Sequence, residues 1–279
     1  MCRNFSAWLK RSVTEMSSVR PKKRFSQNFI IDKNIARQIV GYLNIEKDDI
    51  VFEIGTGRGG LTEIIAESGA TVFSFELDKT LLPELEKKFH GIENLQIINQ
   101  DFLTVEPEQY SDRSFKLIGN IPYDITSPLV GWVVEHRRTI DRAVITVQKE
   151  LGERIAAGPG SKDWAPISIF TRLFFDIKSV RTIPPGAFYP PPKVISSVLV
   201  FEPSDRYHIE DFAFFERLVR AAFVHRRKML VKNLTEDGIA DKAGLSESLT
   251  NLGKSLNVRA EAMTIEDFIG LAEQLKKIK

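Results

Sequence analysis

A chain of 279 residues is long for one domain and suits a larger domain followed by a smaller module. The single cysteine, Cys2, excludes a disulfide framework and any cysteine-rich metal site, and the four histidines are scattered without ligand spacing, so no metal is expected. No apolar run approaches bilayer-spanning length, and a net charge of only +2 leaves the case for nucleic acid to where the charges lie rather than to their sum.

Residues 1–19 carry Arg3, Lys10, Arg11 and several serines against one acid, Glu15, a weak organellar-presequence pattern. They are read instead as a disordered extension, with Met16 as an internal start and the cytoplasm as the compartment. A basic segment follows, Arg20-Pro21-Lys22-Lys23-Arg24. Strand-like runs near 50–55, 71–76, 95–99, 115–119 and 142–148 then alternate with helical patterns near 60–68, 79–89, 127–137 and 149–157. This alternation predicts an α/β fold, a parallel sheet with helices on both faces.

The first strand runs into Gly55-Thr56-Gly57-Arg58-Gly59-Gly60 and then into the helical pattern Leu61, Ile64, Ile65. Gly55, Gly57 and Gly60 satisfy G-x-G-x-x-G, and Glu76 ends the next strand at the spacing of a ribose-binding acid. A tight strand-to-helix turn is the lesser alternative for the glycines, and at this point a nicotinamide dinucleotide still competes as the ligand. Glu53 separates the candidates: a carboxylate inside the strand gives a dinucleotide site nothing, whereas it suits a sulfonium amino acid with a free amino group. The third strand ends in Gln100-Asp101-Phe102, an acid able to accept from an adenine amino group beside an aromatic wall. Ligands of open α/β sheets bind outside the carboxyl ends of the strands, where these residues converge, so S-adenosylmethionine is favoured over NAD.

The fourth strand ends in Asn120-Ile121-Pro122-Tyr123. Asn120 offers a neutral amide oxygen, Pro122 a carbonyl and Tyr123 a ring face, two acceptors and a stacking platform that suit an exocyclic ring amine such as adenine N6. The bland reading is a strand-terminating turn. Beyond the fifth strand, the runs Ile177 to Ile183 and Val194 to Phe201 straddle Pro184-Pro185-Gly186-Ala187-Phe188-Tyr189-Pro190-Pro191-Pro192 and are expected to form an antiparallel, hairpin-like addition. The flanking prolines suggest that Phe188 is presented rather than buried; an anchoring core aromatic is the alternative. From about Asp205 the periodicity is helical only, including Asp211 to Val224 and Thr264 to Leu275, with Thr264-Ile265-Glu266-Asp267 as a helix start. Arg217, Arg220, His225, Arg226, Arg227, Lys228 and Lys232 make this segment a candidate phosphate-binding face, or simply a solvated one.

These motifs together resemble the ribosomal RNA adenine N6-dimethyltransferase family, in its branch acting on small-subunit rRNA. The resemblance runs from about Arg24 to near the C-terminus. It rests on Arg24-Phe25-Ser26-Gln27-Asn28-Phe29, the Glu53-to-Gly60 loop, Phe75-Glu76-Leu77-Asp78, Gln100-Asp101, Asn120 to Tyr123, Gln148-Lys149-Glu150, Pro184 to Val194 and Ala222 to Lys228. It implies a Rossmann-like S-adenosylmethionine-dependent methyltransferase sheet over 20–203 and a small C-terminal helical domain over 204–279 that positions RNA. Gln27 and Asn28 would line the methionine end of the cofactor, Gly55, Gly57 and the loop backbone would hold it, Glu76 would bind the ribose and Asp101 the adenine. Phe29, Glu53, Leu77, Phe102 and Asn120 would complete that site. Asn120 and the Pro122 carbonyl would orient the target N6 between the faces of Tyr123 and Phe188. Arg24, Arg220, Arg226, Arg227 and Lys228 would bind RNA.

The implied activity is N6,N6-dimethylation of two adjacent adenosines in a hairpin loop near the 3′ end of small-subunit rRNA during subunit biogenesis. S-adenosyl-L-homocysteine would be the product, the small subunit and its rRNA the partners, and the protein a monomer. A large-subunit rRNA methylase of the antibiotic-resistance type and a catalytically weak assembly factor are the alternatives. Two positions depart from the family pattern. Asp124 stands where that branch commonly has Asn and is read, with Thr126, as a cap for a helix beginning near Pro128. Asp163-Trp164-Ala165-Pro166 replaces a tyrosine-glycine pair.

Overall fold

The computed structural model describes residues 28–277, with the side chain of Tyr123 left out. Five strands, β2 (Ile50–Ile54), β3 (Thr71–Phe75), β4 (Leu95–Ile98), β5 (Phe115–Asn120) and β6 (Ile140–Gln148), run parallel in the order β4-β3-β2-β5-β6. The helices between them are α2 (Thr62–Ala66), α3 (Leu82–Lys88) and α4 (Thr126–Glu135). All five residues of β2 are buried, the signature of a strand covered on both faces. Alternate side chains enter different cores. Val51 joins an aliphatic cluster with Ile65 and with Ile35, Ile39 and Val40 of α1 (Lys33–Gly41). Phe52 stacks on Phe115 at 4.2 Å in an aromatic cluster that also holds Phe75, Phe102 and Trp132.

The two runs flanking the proline-rich turn form β7 (Phe175–Ile183) and β9 (Ser196–Pro203). They are neighbours, but they do not simply append a hairpin. β9 inserts as an inner strand antiparallel to β6, which leaves β7 at the edge. Its first six residues are buried, so its apolar content serves the sheet interior. A separate two-stranded ladder pairs β1 (Phe29–Ile30) with β8 (Phe188–Tyr189), Phe29 opposite Tyr189 and Ile30 opposite Phe188. Ile31 N–H extends it by donating to the Ala187 carbonyl at 2.9 Å.

The chain divides into two compact units. One holds the described residues up to Gly152 together with Asp176–Pro203; the other holds Glu153–Phe175 with the chain from Ser204 onward. The segment 153–175, expected from the sequence in the methyltransferase domain, holds the end of α5 (Lys149–Ile155) and all of α6 (Pro166–Arg172) and groups instead with the C-terminal helices α7 (Phe212–Phe223), α8 (Leu230–Glu236), α9 (Lys242–Asn251) and α10 (Ile265–Lys277). Trp164 explains the grouping: it is fully buried, and its indole N–H donates to the Met263 carbonyl at 2.9 Å. Thr264 opens α10 with a reciprocal cap, its hydroxyl accepting from Asp267 N–H while Asp267 accepts from Thr264 N–H.

Candidate functional site

The turn after β2 is built on left-handed backbone: Gly55, Gly57 and Gly59 have φ of +75°, +58° and +73°. The structural glycine triplet is thus 55, 57 and 59, whereas Gly60, the third glycine of the sequence pattern, has no such φ. At Gly57 a side chain is excluded twice, by φ and by the Phe29 ring, which would lie 2.9 Å from an added Cβ. The loop is fastened at its base by Gly55 N–H to the Phe75 carbonyl, 2.9 Å, and at its crown by Gly57 N–H to Glu76 Oε2, 2.8 Å.

Glu53 is 1% exposed. Its Oε2 accepts from Thr62 at 2.7 Å and Ser74 at 2.6 Å, and Ser74 shares a 2.6 Å contact with Thr56. Oε1 makes no hydrogen bond among the described residues. Burial pushes the Glu53 carboxyl up to about 7, against the opposing pull of the Ser74 and Thr62 hydroxyls. Glu76 is equally buried and is raised by the same desolvation, although Gly57 N–H and Asp78 N–H each donate to one of its oxygens. Asp101 Oδ1 accepts from Leu103 N–H at 3.0 Å, which leaves Oδ2 without a hydrogen bond among the described residues. Leu77 is 48% exposed, while Phe102 is buried against Phe75 and Trp132 and is a core ring rather than an open wall.

A cleft of about 210 Å³ opens beside Glu53, Gly55, Gly57, Ile31 and Asn120. It does not reach Glu76, Leu77, Asp101 or Phe102, which lie along the neighbouring strand ends. Asn120 ends β5, and its amide Nδ2 donates to the Asn28 carbonyl at 2.6 Å. Donation by that end leaves Oδ1 as the acceptor, with no partner among the described residues. Ile121 N–H donates to the Thr146 carbonyl at 3.1 Å, and the Pro122 carbonyl accepts from Ile125 N–H at 3.1 Å, so one of its lone pairs is committed to the turn. Neither Asp124 nor Thr126 caps α4: the helix starts at Thr126 with no side-chain cap, and Asp124 is exposed.

Several sequence expectations change here. Phe188 is 2% exposed and belongs to the aliphatic core, so in this structure it anchors the turn; the presented ring is its neighbour Tyr189, 57% exposed. Arg220 is half-buried, ion-paired with Glu216 and packed over Phe170 at 5.2 Å, which makes it a structural residue of its unit. Lys228 pairs with Glu236 at 2.7 Å, and Arg226 with Glu261 at 3.9 Å. Arg227 alone of these is exposed with no ion pair among the described residues. Gln27 and Arg24 lie outside the described residues. Sequence reasoning passed over Thr56, Thr62 and Ser74, whose hydroxyls surround Glu53, and Arg58, whose guanidinium sits over the Phe29 and Tyr189 rings at 5.2 and 5.8 Å. Thr56 and Arg58 are interleaved with the glycine pattern and Thr62 follows it by two residues, so all three are within reach of that motif.

Comparison with known proteins gives a consistent answer. A model of the family described as ribosomal RNA adenine dimethylase matches residues 19–277. The protein named Ribosomal RNA small subunit methyltransferase A from Syntrophotalea carbinolica is 39% identical over 260 residues, covering 92% of this chain and 97% of that one. Its namesake from Halothermothrix orenii is 36% identical over 263 residues, 91% of this chain and 87% of the relative. Among solved structures, a dimethyladenosine transferase from Plasmodium falciparum matches with a TM-score of 0.79 at 25% identity, over 89% of this chain and 98% of that one. The 23S rRNA methyltransferase ErmE matches with a TM-score of 0.72 at 27% identity, over 89% and 100%.

Proposed function

The chain belongs to the ribosomal RNA adenine dimethylase family, and from that premise we propose that it dimethylates N6 of two adjacent adenosines in a hairpin loop near the 3′ end of small-subunit ribosomal RNA. It is a methyltransferase whose donor is S-adenosyl-L-methionine. The residues present fit that donor: Glu53 keeps one buried carboxylate oxygen unengaged at the cleft, as an ammonium partner requires, and Asp101 keeps one for an adenine amino group. Glu53, the Gly55–Gly57 backbone and Asn28 would hold the methionine end, Glu76 the ribose, and Leu77 with Asp101 the adenine. When bound, the donor supplies a methyl group made electrophilic by its sulfonium.

The observation that carries the reading is the orientation of Asn120. Adenine N6 is a poor nucleophile because its lone pair is delocalised into the ring. Acceptors that engage its hydrogens favour a pyramidal nitrogen, and Asn120 offers an acceptor because the Asn28 carbonyl already holds its amino end. The second lone pair of the Pro122 carbonyl supplies the other acceptor; the ring face for the base is assigned to Tyr123 on the family resemblance alone, its side chain lying outside what the structure describes. Alignment of this kind offsets several kcal/mol of barrier, on the order of 7 in well-organised cases. A neutral amide is no base, so the proton leaves for solvent after transfer. A base that reaches such a site must be unstacked from its strand, which suits a loop adenosine.

Relatives named for the small subunit at 36–39% identity favour that substrate over the large subunit. Incubation with under-methylated small subunits and labelled donor, followed by mass-spectrometric mapping, is expected to place two methyl groups on each of two neighbouring adenosines. Modification confined to large-subunit RNA would instead establish the alternative, and binding without turnover would mark an assembly factor.

A further inference from the structure

We propose that Arg58 grips a phosphodiester group of the RNA strand beside the target adenosine, acting as a positioning residue for the substrate; this rests on the rRNA-methyltransferase reading above. The guanidinium projects from the glycine loop over the rings of Phe29 and Tyr189, which the β1–β8 ladder places opposite each other. A guanidinium held over aromatic rings spends none of its N–H groups on a carboxylate and can offer its planar fork to a phosphate in bidentate fashion. Arg58 is exposed, and no carboxylate pairs with it among the described residues. Its neighbouring cation, Lys88, is already engaged with Glu63 and with the Arg58 and Gly59 carbonyls.

Position points the same way. Phe29, under the guanidinium, directly follows Asn28, whose carbonyl holds Asn120. Arg58 and Asn120 line one cleft. A base seated with N6 at Asn120 must send its sugar and phosphate outward past that rim. The exposed Tyr189 belongs to β8, opposite Phe29, so the guanidinium stands over a solvent-facing ring. The methionine carboxylate of the donor is the other anion available to this cleft, and the measurements below tell the two apart.

Two substitutions separate charge from packing. Arg58→Met keeps a flexible apolar stem that packs against aromatic rings but loses the anion site; Arg58→Lys keeps the charge without the flat fork. Expected for Arg58→Met is a roughly tenfold rise in KM for under-methylated small subunits, with S-adenosylhomocysteine affinity within about twofold of wild type and an unchanged melting temperature. The slope of log K against log salt for an adenosine-containing RNA hairpin should fall by about 0.7, one phosphate's share on a single strand. Arg58→Lys should fall between wild type and Arg58→Met. Weakened S-adenosylhomocysteine binding with unchanged RNA binding would overturn the proposal in favour of the cofactor carboxylate. A drop in melting temperature with an unchanged salt slope would overturn it in favour of a packing role, as would no effect at all. Because the hairpin measurement needs no turnover, it remains decisive even if wild-type protein methylates no small subunit.

Discussion

Glu53 places a carboxylate where burial opposes its charge, so its function and its contribution to stability have opposite signs. With the group at about 7 in the folded protein and in the ordinary carboxylate range when unfolded, the folded state holds the proton more tightly. Stability from this group is therefore full at acid pH and declines as pH rises from about 4.5 to 7. An ammonium ligand needs the ionised form, so donor affinity should rise over the upper part of that range. The apparent Kd at pH 6 should be about tenfold weaker than at pH 8, following the ionised fraction. Isothermal titration with S-adenosylhomocysteine would show this slope in wild type and a flat, weak profile in Glu53→Gln. The same substitution should raise the melting temperature of the ligand-free protein at pH 8. Asn120→Ala has a different signature: nearly normal S-adenosylhomocysteine affinity, with kcat lower by on the order of a hundredfold, since only alignment of N6 is lost. Equal losses in binding and turnover would show that Asn120 serves the donor instead.

At the scale of elements, the parallel strands were legible because each is a short, apolar-rich segment bounded by turn chemistry. The β1–β8 ladder was not, since two-residue strands have no periodicity to read, and its pairing is what draws Phe188 into the core and leaves Tyr189 outside. Helix α1 was legible in principle: Asp32 accepts from Asn34 and Ile35 N–H, and Ile35, Ala36, Ile39 and Val40 recur on one face. Burial of a lone aromatic between prolines depends on partners far along the chain, and local sequence carries no such information. The ladder also ties the glycine loop to the end of β5. Phe29 closes over Gly57 while the preceding Asn28 carbonyl holds Asn120. Gly57→Ala strains both ends of this arrangement. A left-handed φ costs a residue with a Cβ roughly 1–2 kcal/mol, and the Phe29 ring must move away. The expected result is a modestly lower melting temperature with S-adenosylhomocysteine affinity reduced at least about tenfold; binding at wild-type strength would show that the loop accommodates the methyl without repositioning Phe29.

On the scale of the whole molecule, the chain builds two compact units, and the charges of the second cannot be interpreted from their number. The sequence shows a dense run of cations from Arg217 to Lys232, but it does not show which are already neutralised. Arg220 pairs with Glu216 and packs on Phe170, whereas Lys228 faces Glu236 on the surface, where an ion pair contributes little and can exchange for a phosphate. Arg227 is exposed without such a partner among the described residues. These environments predict that the two arginines fail differently. Arg227→Ala should weaken small-subunit binding and lower its salt slope by about 0.7–0.9, one phosphate contact, while melting temperature and S-adenosylhomocysteine affinity stay unchanged. Arg220→Ala should leave that slope intact and instead cost about 1–3 kcal/mol of stability, because Glu216 is left half-buried without its partner. Parallel denaturation and salt-titration measurements on the two variants distinguish the roles. If both lowered the salt slope equally, Arg220 would have to leave Glu216 when RNA binds, and the basic run would act as one surface.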